Sequence, residues 1–212
     1  MQPKNLFTVS NLVLIAMLSA VAFVLMLLDF PVLFLAPNFY KLDFSEVPVL
    51  IGSFSMGPVA GVIIEALKIV LKLLYKPTTT AYIGEIGNFL MGCALVIPAG
   101  IVYKVNHTRK GAVIGLVVGG VCMCVAAALV NGFMLLPWYV ENFFKGSVET
   151  LIGYAKDVPL FGSFVTDLFT FSLLIVVPFN LLKAVAVSFV TFFLYKPLSR
   201  FINQTLRKRK TA

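Results

Sequence analysis

The chain has 212 residues, of which 60% are hydrophobic and only 12% charged, and its formal net charge is +8. Its mean hydropathy of +0.99 lies well outside the range of soluble globular domains. The sequence contains no HExxH, GxSxG or phosphate-binding loop, which argues against the common hydrolases and nucleotide-dependent enzymes. Long apolar segments without strand-like alternation predict an all-α integral membrane protein.

Six hydrophobic segments predict six transmembrane helices in one bundle, within a single membrane-embedded domain that covers residues 1–212. The segments lie at about residues 9–28, 44–54, 57–74, 81–103, 111–136 and 167–194. The second segment is too short to cross a hydrocarbon core of about 30 Å alone. Only "SMGP" separates it from the third, so the pair is compatible with a bent or re-entrant unit. Pro58 suits the first turn of the third helix.

The distribution of basic residues predicts the orientation of the chain. An even number of spans places both termini on one side, which then carries Lys4, Lys104, Arg109, Lys110, Lys196, Arg200, Arg207, Lys208, Arg209 and Lys210. The opposite side carries Lys41, Lys72, Lys76, Lys145 and Lys156. The positive-inside rule therefore predicts cytoplasmic termini. The basic tail "RKRK" is interpreted as a topology anchor rather than a nucleic-acid site.

The "AVA" at residues 20–22 resembles a signal-peptide cleavage site, but the apolar run continues past it, which favours an uncleaved first span.

Polar residues at membrane depth are the candidates for function, because an ionisable side chain there costs roughly 3 kcal/mol even on the most lenient scale. They fall in the third to sixth segments: Glu65, Lys68, Tyr82, Glu85, Asn88, Asn131, Asn180 and Lys183. Glu65 and Lys68 are three residues apart, so a mutual ion pair is the structural alternative. The asparagines and Lys183 suit a flat heteroaromatic ring with carbonyls and nitrogens along one edge. Hydrogen bonds between helices would explain them equally well.

The cysteines and the single histidine do not suggest a metal site or a catalytic group. Cys93, Cys122 and Cys124 lack paired spacing and are interpreted as packing residues, and His107 lies in a polar loop. An intramembrane enzyme therefore fits poorly, and no catalytic residue is assigned. A proton-coupled secondary transporter that uses Glu65, Glu85 or Asp167 stays open as an alternative, although no half-length internal repeat supports it.

Three blocks of sequence resemble the riboflavin-binding subunit of energy-coupling factor (ECF) vitamin transporters. They are "FYKLDFSEVPVLIGSFSMGPVAGVIIEALKIVLKLL" (residues 39–74), "TTTAYIGEIGNFL" and "VPFNLLKAVAVSFVTFFLYKPLSRFI". The likeness extends over essentially the whole chain, and "KLDFSEVP" and "PFNLLK" are its most specific parts. The resemblance implies six helices, a substrate cavity near the extracellular face and a first loop that acts as a lid.

The resemblance also implies specific site residues. Asn131, Asn180 and Lys183 occupy the positions that hold the isoalloxazine edge in this family. Lys41, Tyr82, Glu85 and Asn88 match only by sequence block. On the first span, Ala16 and Ala20 form an AxxxA pattern, and such small residues allow close helix approach. In related subunits this face docks the transmembrane coupling partner. Internal packing is the alternative, and Gly57 and Gly61 admit the same two interpretations.

The resemblance finally implies a role in transport and a set of partners. The chain would capture riboflavin, with FMN as a further candidate, and deliver it inward across a bacterial plasma membrane. Its partners would be the ECF coupling subunit and two ATPase subunits, since the chain has no ATP-binding motif of its own. No catalytic cofactor is implied. A sibling subunit for another vitamin remains an alternative, because the polar residues define a ring edge more clearly than a ring.

Overall fold

The computed structural model describes residues 6–208, except for the side chains of residues 196 and 198–208. Some of the basic residues on the predicted cytoplasmic side lie outside the described residues: Lys4, Arg209 and Lys210. The same holds for the side chains of Lys196, Arg200, Arg207 and Lys208. The helices are α1 (Val9–Leu27), α2 (Glu46–Met56), α3 (Pro58–Tyr75), α4 (Ile83–Val105), α5 (Arg109–Val130), α6 (Leu136–Phe143), α7 (Val148–Lys156), α8 (Leu168–Phe171) and α9 (Val177–Lys208). A short hairpin joins β1 (Phe30–Pro31) to β2 (Lys41–Leu42).

Four helical stretches in the described part of the chain are long and apolar enough to cross a membrane. They are Val9–Leu27, Ile83–Val105, Arg109–Phe143 and Leu168–Tyr195. The other two candidate segments are α2 and α3. The 11-residue α2 is buried from Glu46 to Phe54 and packs against α1, α3, α4 and α9. A helix surrounded by other helices is expected to be apolar on most of its faces, as α2 is between Val47 and Ile51.

A single residue separates α2 from α3. Gly57 has φ +103°, a conformation that residues with a side chain rarely adopt. Pro58 then opens α3, where its fixed φ and missing N–H fit the first turn. The "SMGP" sequence therefore ends one helix and begins another that packs back against it. The two helices are separate elements rather than one bent helix.

Glycines bring α4 and α5 into close contact. A methyl group placed on Gly119 would collide with the carbonyl oxygen of Leu95, and one placed on Gly115 would lie 2.7 Å from the carbonyl oxygen of Ala99. The neighbouring Gly120 is less confined, because its methyl group would lie 3.5 Å from Ala184. Small residues four apart on α5 thus let the two backbones approach closely.

Gly119→Ala is therefore expected to destabilise the protein, because overpacking at a tight contact typically costs about 1–3 kcal/mol. Gly120→Ala is the matched control. It should be neutral or stabilising by up to about 1 kcal/mol, since alanine favours helix more than glycine does. Thermal unfolding midpoints in detergent would compare the two. Equal midpoints would contradict the close contact between α4 and α5.

Two π-helical turns interrupt the long helices at corresponding places. The first turn (Asn131–Leu135) joins α5 to α6, and the second (Ser172–Val176) joins α8 to α9. A proline, Pro137 or Pro178, follows two residues after each turn. Proline lacks an N–H group and disturbs the hydrogen bond to the carbonyl four residues earlier, which favours such local rearrangement. The turns contact each other, so both irregularities lie at one place in the bundle.

The connection before α8 is partly helical. It contains α7 and a 3₁₀ turn at Gly162–Phe164. Asp167 is exposed and caps α8, accepting a hydrogen bond of 2.8 Å from the Thr170 N–H. Hydrogen bonds from the Thr170 and Phe169 N–H groups lower the pKa of the Asp167 carboxyl. Its carboxylate is thus engaged as a helix cap at the surface.

Candidate functional site

The loop between α1 and α2, residues 28–45, folds over one end of the bundle. Its two strands pair Phe30 with Leu42 and Pro31 with Lys41. Lys41 forms an exposed ion pair with Asp29, with 3.0 Å between Nζ and Oδ1. The inner side buries apolar residues against α6 to α9: Val32, Leu35, Ala36 and Leu42. The loop is therefore anchored by its own core on the bundle.

Beneath this loop lies a cavity of about 450 Å³. It is bounded by the loop, the ends of α1 and α3, the start of α4, the first π-turn with α6, and α9. Six of the seven substrate-binding residues expected from sequence line it: Lys41, Glu85, Asn88, Asn131, Asn180 and Lys183. The seventh, Tyr82, is 58% exposed and lies outside the cavity lining. The sequence block placed Tyr82 next to the site, but its side chain faces outward.

Asn131 links the first loop to the bundle. Its Oδ1 accepts a hydrogen bond of 2.9 Å from the Tyr40 hydroxyl, and its Nδ2 donates to the Ala127 carbonyl at 2.9 Å. Burial and the neighbouring Tyr139 raise the pKa of the Tyr40 phenol, so Tyr40 remains a donor. Asn131 is fully buried and opens the first π-turn. Irregular turns of this kind often occur at functional sites.

Asn180 and Lys183 enter the cavity from α9. Asn180 donates a hydrogen bond through Nδ2 to the Val176 carbonyl at 2.9 Å. Lys183 donates to Asp43 across 3.0 Å between Nζ and Oδ2. Both charged side chains of this pair are more than 90% buried. Both residues line the cavity, so a ligand there can reach the Asn180 amide and the pair of Lys183 and Asp43.

Asp43 is a lining residue that the sequence reasoning missed. It lies in "KLDFSEVP", yet it is 140 positions away from Lys183 along the chain. Burial tends to raise the pKa of Asp43, but the ammonium groups of Lys183 and Lys68 and the hydrogen bonds from Ser45 hold it at about 2. The signal that could have found it is the need of a buried lysine for an acidic partner.

Glu85 fixes the connection between α3 and α4 at the rim of the cavity. Its Oε1 accepts a hydrogen bond from Lys72 at 2.6 Å, and its Oε2 accepts from Thr78 and Thr80 at 2.9 and 3.0 Å. The side chain of Lys72 is 25% exposed, whereas that of Glu85 is 5% exposed. Glu85 lines the site, but its oxygens are bonded to neighbouring protein groups, so its role is to hold the rim.

A second charged cluster lies inside the bundle, outside the cavity lining. Lys68 is fully buried and pairs with Glu46 at 2.7 Å and Glu65 at 2.8 Å, and it donates to Ser45 Oγ at 3.0 Å. The ion pair expected between Glu65 and Lys68 is present, and Glu46 joins it from the start of α2. Gly92 of α4 packs directly against the Glu65 carboxylate. This cluster connects α2, α3 and α4.

The small residues proposed for docking fall into two environments. Ala16 and Ala20 lie on the exposed face of α1, among Leu12, Val13 and Met17. Gly61 packs inside the bundle, where a methyl group would lie 2.9 Å from the Ser53 Cβ. Gly57 forms the turn between α2 and α3. Only the alanine pair therefore remains a surface on which another helix could pack.

A family model described as "ECF transporter, substrate-specific component" matches residues 10–195. The chain belongs to this family. It is 32% identical over 194 residues to "Riboflavin transporter RibU" of Staphylococcus aureus (strain TCH60), a match that covers 92% of this chain and 93% of the relative. It is 30% identical over 197 residues to "Riboflavin transporter FmnP" of Bacillus subtilis (strain 168), a match that covers 92% of this chain and 95% of the relative.

The fold of the family is also seen in a solved structure. The chain described in "Structure and mechanism of the S component of a bacterial ECF transporter" superposes with a TM-score of 0.68 at 31% identity, covering 90% of this chain and 96% of that one. The family resemblance predicted from the sequence blocks is therefore confirmed. This chain is a membrane-embedded substrate-specific component of an ECF transporter, and the relatives named are transporters rather than enzymes.

Proposed function

We propose that this chain binds riboflavin from outside the cell as the substrate-binding subunit of an ATP-driven importer in a bacterial plasma membrane. The observation that carries the proposal is the convergence of Asn131, Asn180 and Lys183 on one cavity beneath the first loop. The two relatives described above are both called riboflavin transporters. Capture and delivery require no bond-making, so the polar groups of the site act only in binding.

The chemistry of the cavity suits a flavin ring. Two amides and an ammonium can satisfy the carbonyl and imide groups along one edge of the isoalloxazine. Phe39, Tyr40 and Phe179 supply aromatic walls. A volume of about 450 Å³ lies in the usual range of small-molecule sites. FMN is a second candidate, because Lys76 and Lys72 line the same cavity and could attract a phosphate.

We further propose six spans with both termini in the cytoplasm and the cavity at the extracellular end. Phe54, Tyr103 and Tyr195 cluster where α2, α4 and α9 meet, with ring centroids 4.6–5.8 Å apart. None of them lines the cavity. Lys104, Arg109 and Lys110 lie beside Tyr103 in sequence, where the positive-inside rule favours the cytoplasm.

The exposed Ala16 and Ala20 support docking of a coupling subunit on α1, with two ATPase subunits supplying the energy.

Proton-coupled transport is the alternative class. The three acids considered for a proton relay are each engaged elsewhere: Glu65 with Lys68, Glu85 with Lys72, and Asp167 as a helix cap. Uptake that requires an ATPase and does not depend on a proton gradient would distinguish ATP-driven import from proton-coupled transport.

The test is a titration of riboflavin with detergent-purified protein. Binding is monitored through the quenching of flavin fluorescence and through the visible absorption spectrum. We expect tight, saturable quenching, and FMN should be tried as a competitor. Other vitamins with flat rings serve as controls for a sibling specificity. Absence of quenching in a folded preparation would refute the substrate assignment and leave the fold unchanged.

A further inference from the structure

One ion pair joins the first loop directly to the polar wall of the cavity. The Lys183 ammonium lies 3.0 Å from the Asp43 carboxylate, and both side chains line the cavity. Asp43 immediately follows β2, whereas Lys183 lies in α9. The pair is buried, so water screens it little. The charge presented to a ligand here is therefore that of the pair, not of Lys183 alone.

The position of the Asp43 carboxylate is fixed from its other side. Its Oδ1 accepts a hydrogen bond of 2.8 Å from the Ser45 N–H. The Ser45 hydroxyl in turn accepts a hydrogen bond of 3.0 Å from Lys68. Asp43 thus connects the cavity to the buried cluster of Lys68. A carboxylate fixed through Oδ1 can hold the ammonium in one place through Oδ2.

The other charges that face the cavity have different partners. Lys72 pairs with Glu85 at the rim, and the exposed Lys41 pairs with the exposed Asp29. Lys76 also lines the rim. Glu46 and Lys68 lie behind Asp43 and contact each other. Within the described residues, Asp43 is the only carboxylate within ion-pair distance of Lys183.

We propose that Asp43 is a positioning and specificity-determining residue, which aims the Lys183 ammonium into the cavity and neutralises it so that the site selects an uncharged ring edge. The inference rests on the proposed binding of flavin. A buried ammonium without a counter-charge would favour an anionic ligand, since it would gain the partner it lacks. The counter-charge supplied by the protein removes that advantage and rejects anions.

The test compares two flavins that differ in charge. Riboflavin is neutral in its ring, whereas 8-demethyl-8-hydroxyriboflavin ionises at neutral pH and spreads negative charge onto the pyrimidine edge. Asp43→Asn should shift the affinity ratio toward the anionic probe by about tenfold or more. The matched control is Asp157→Asn, which neutralises an exposed carboxylate outside the cavity lining. Water weakens the effect of such a charge, so the ratio should change by less than about twofold.

A second variant keeps the test decisive if Asp43→Asn folds poorly. Lys183→Met leaves the Asp43 carboxylate facing the cavity, so it should shift the ratio against the anionic probe by about tenfold or more. The double variant, which removes both charges, should return the ratio to within about twofold of the wild type. If Asp43 or Lys183 were needed only for folding, its substitution would weaken the binding of both flavins equally and leave the affinity ratio unchanged.

The outcomes separate this inference from the proposed function. Failure of the wild-type protein to bind riboflavin would refute the function on which the inference rests. Wild-type binding combined with an unchanged ratio in Asp43→Asn and in Lys183→Met would overturn the inference alone. Opposite shifts in the two single variants would support it.

Discussion

Replacing Lys68 by methionine is expected to destabilise the folded protein by about 3–5 kcal/mol, the usual cost of breaking a buried ion pair from one side. The substitution leaves the carboxylates of Glu46 and Glu65 buried without their cation, since the Lys68 ammonium lies 2.7 Å from the first and 2.8 Å from the second. Oxygens on both carboxylates already lack hydrogen-bond partners within the described residues. The measurement is unfolding in detergent, followed by circular dichroism.

Lys72→Met is the matched control for this prediction. Lys72 lies one turn further along α3 and also pairs with a glutamate, but its side chain is 25% exposed. Its loss should cost no more than about 1 kcal/mol, as for pairs that water can reach. The triple replacement Glu46→Gln, Glu65→Gln and Lys68→Met should recover part of the loss, because all charges leave together. A Lys68→Met protein as stable as Lys72→Met would refute the structural role of the cluster.

Asn131→Ala is expected to weaken riboflavin binding by roughly 5–150-fold, which corresponds to about 1–3 kcal/mol. The reason is that the ring edge would lose a hydrogen-bond partner at a fully buried position, leaving a polar ligand group unsatisfied. Asn131 is fully buried and lines the cavity. The measurement is the dissociation constant from fluorescence quenching, with circular dichroism to establish that the variant folds.

Tyr40→Phe is the control for the Asn131 prediction. It keeps the aromatic ring in the wall and removes only the hydroxyl that donates to Asn131. One such hydrogen bond contributes about 1 kcal/mol, so a change of at most about fivefold is expected. If Asn131→Ala bound riboflavin as tightly as Tyr40→Phe, the ring edge would have to lie elsewhere in the cavity.

Much of the fold could be predicted because lipid imposes a strong constraint on sequence. Apolar length alone placed helices near α1, α4 and α5, and glycine followed by proline marked the boundary between α2 and α3. The π-turns could not be predicted from this signal. Apolar periodicity changes little when one residue is added to a turn, and the effect of Pro137 and Pro178 depends on packing between helices.

The site was partly predictable for a similar reason. Polar residues in apolar segments must face the interior, so Asn131, Asn180 and Lys183 were identifiable one by one. Asp43 was not identifiable in this way, because it lies in a loop, where an acidic residue carries no obvious free-energy cost of burial in lipid. Its importance follows from a contact with Lys183 that only the folded chain creates. Tyr82 lies outside the cavity lining, because proximity in sequence to Glu85 does not fix the direction of its side chain.

The hydrogen bond between Tyr40 and Asn131 has a consequence for the rate of binding. A ligand that takes the place of the Tyr40 hydroxyl on the Asn131 oxygen can do so only after this hydrogen bond breaks. Each arrival therefore waits for the loop to release its own contact, and each departure allows that contact to re-form. We expect association well below the diffusion limit of about 10⁹ M⁻¹s⁻¹. Tyr40→Phe, measured by stopped-flow quenching, should raise the association rate more than it changes the affinity.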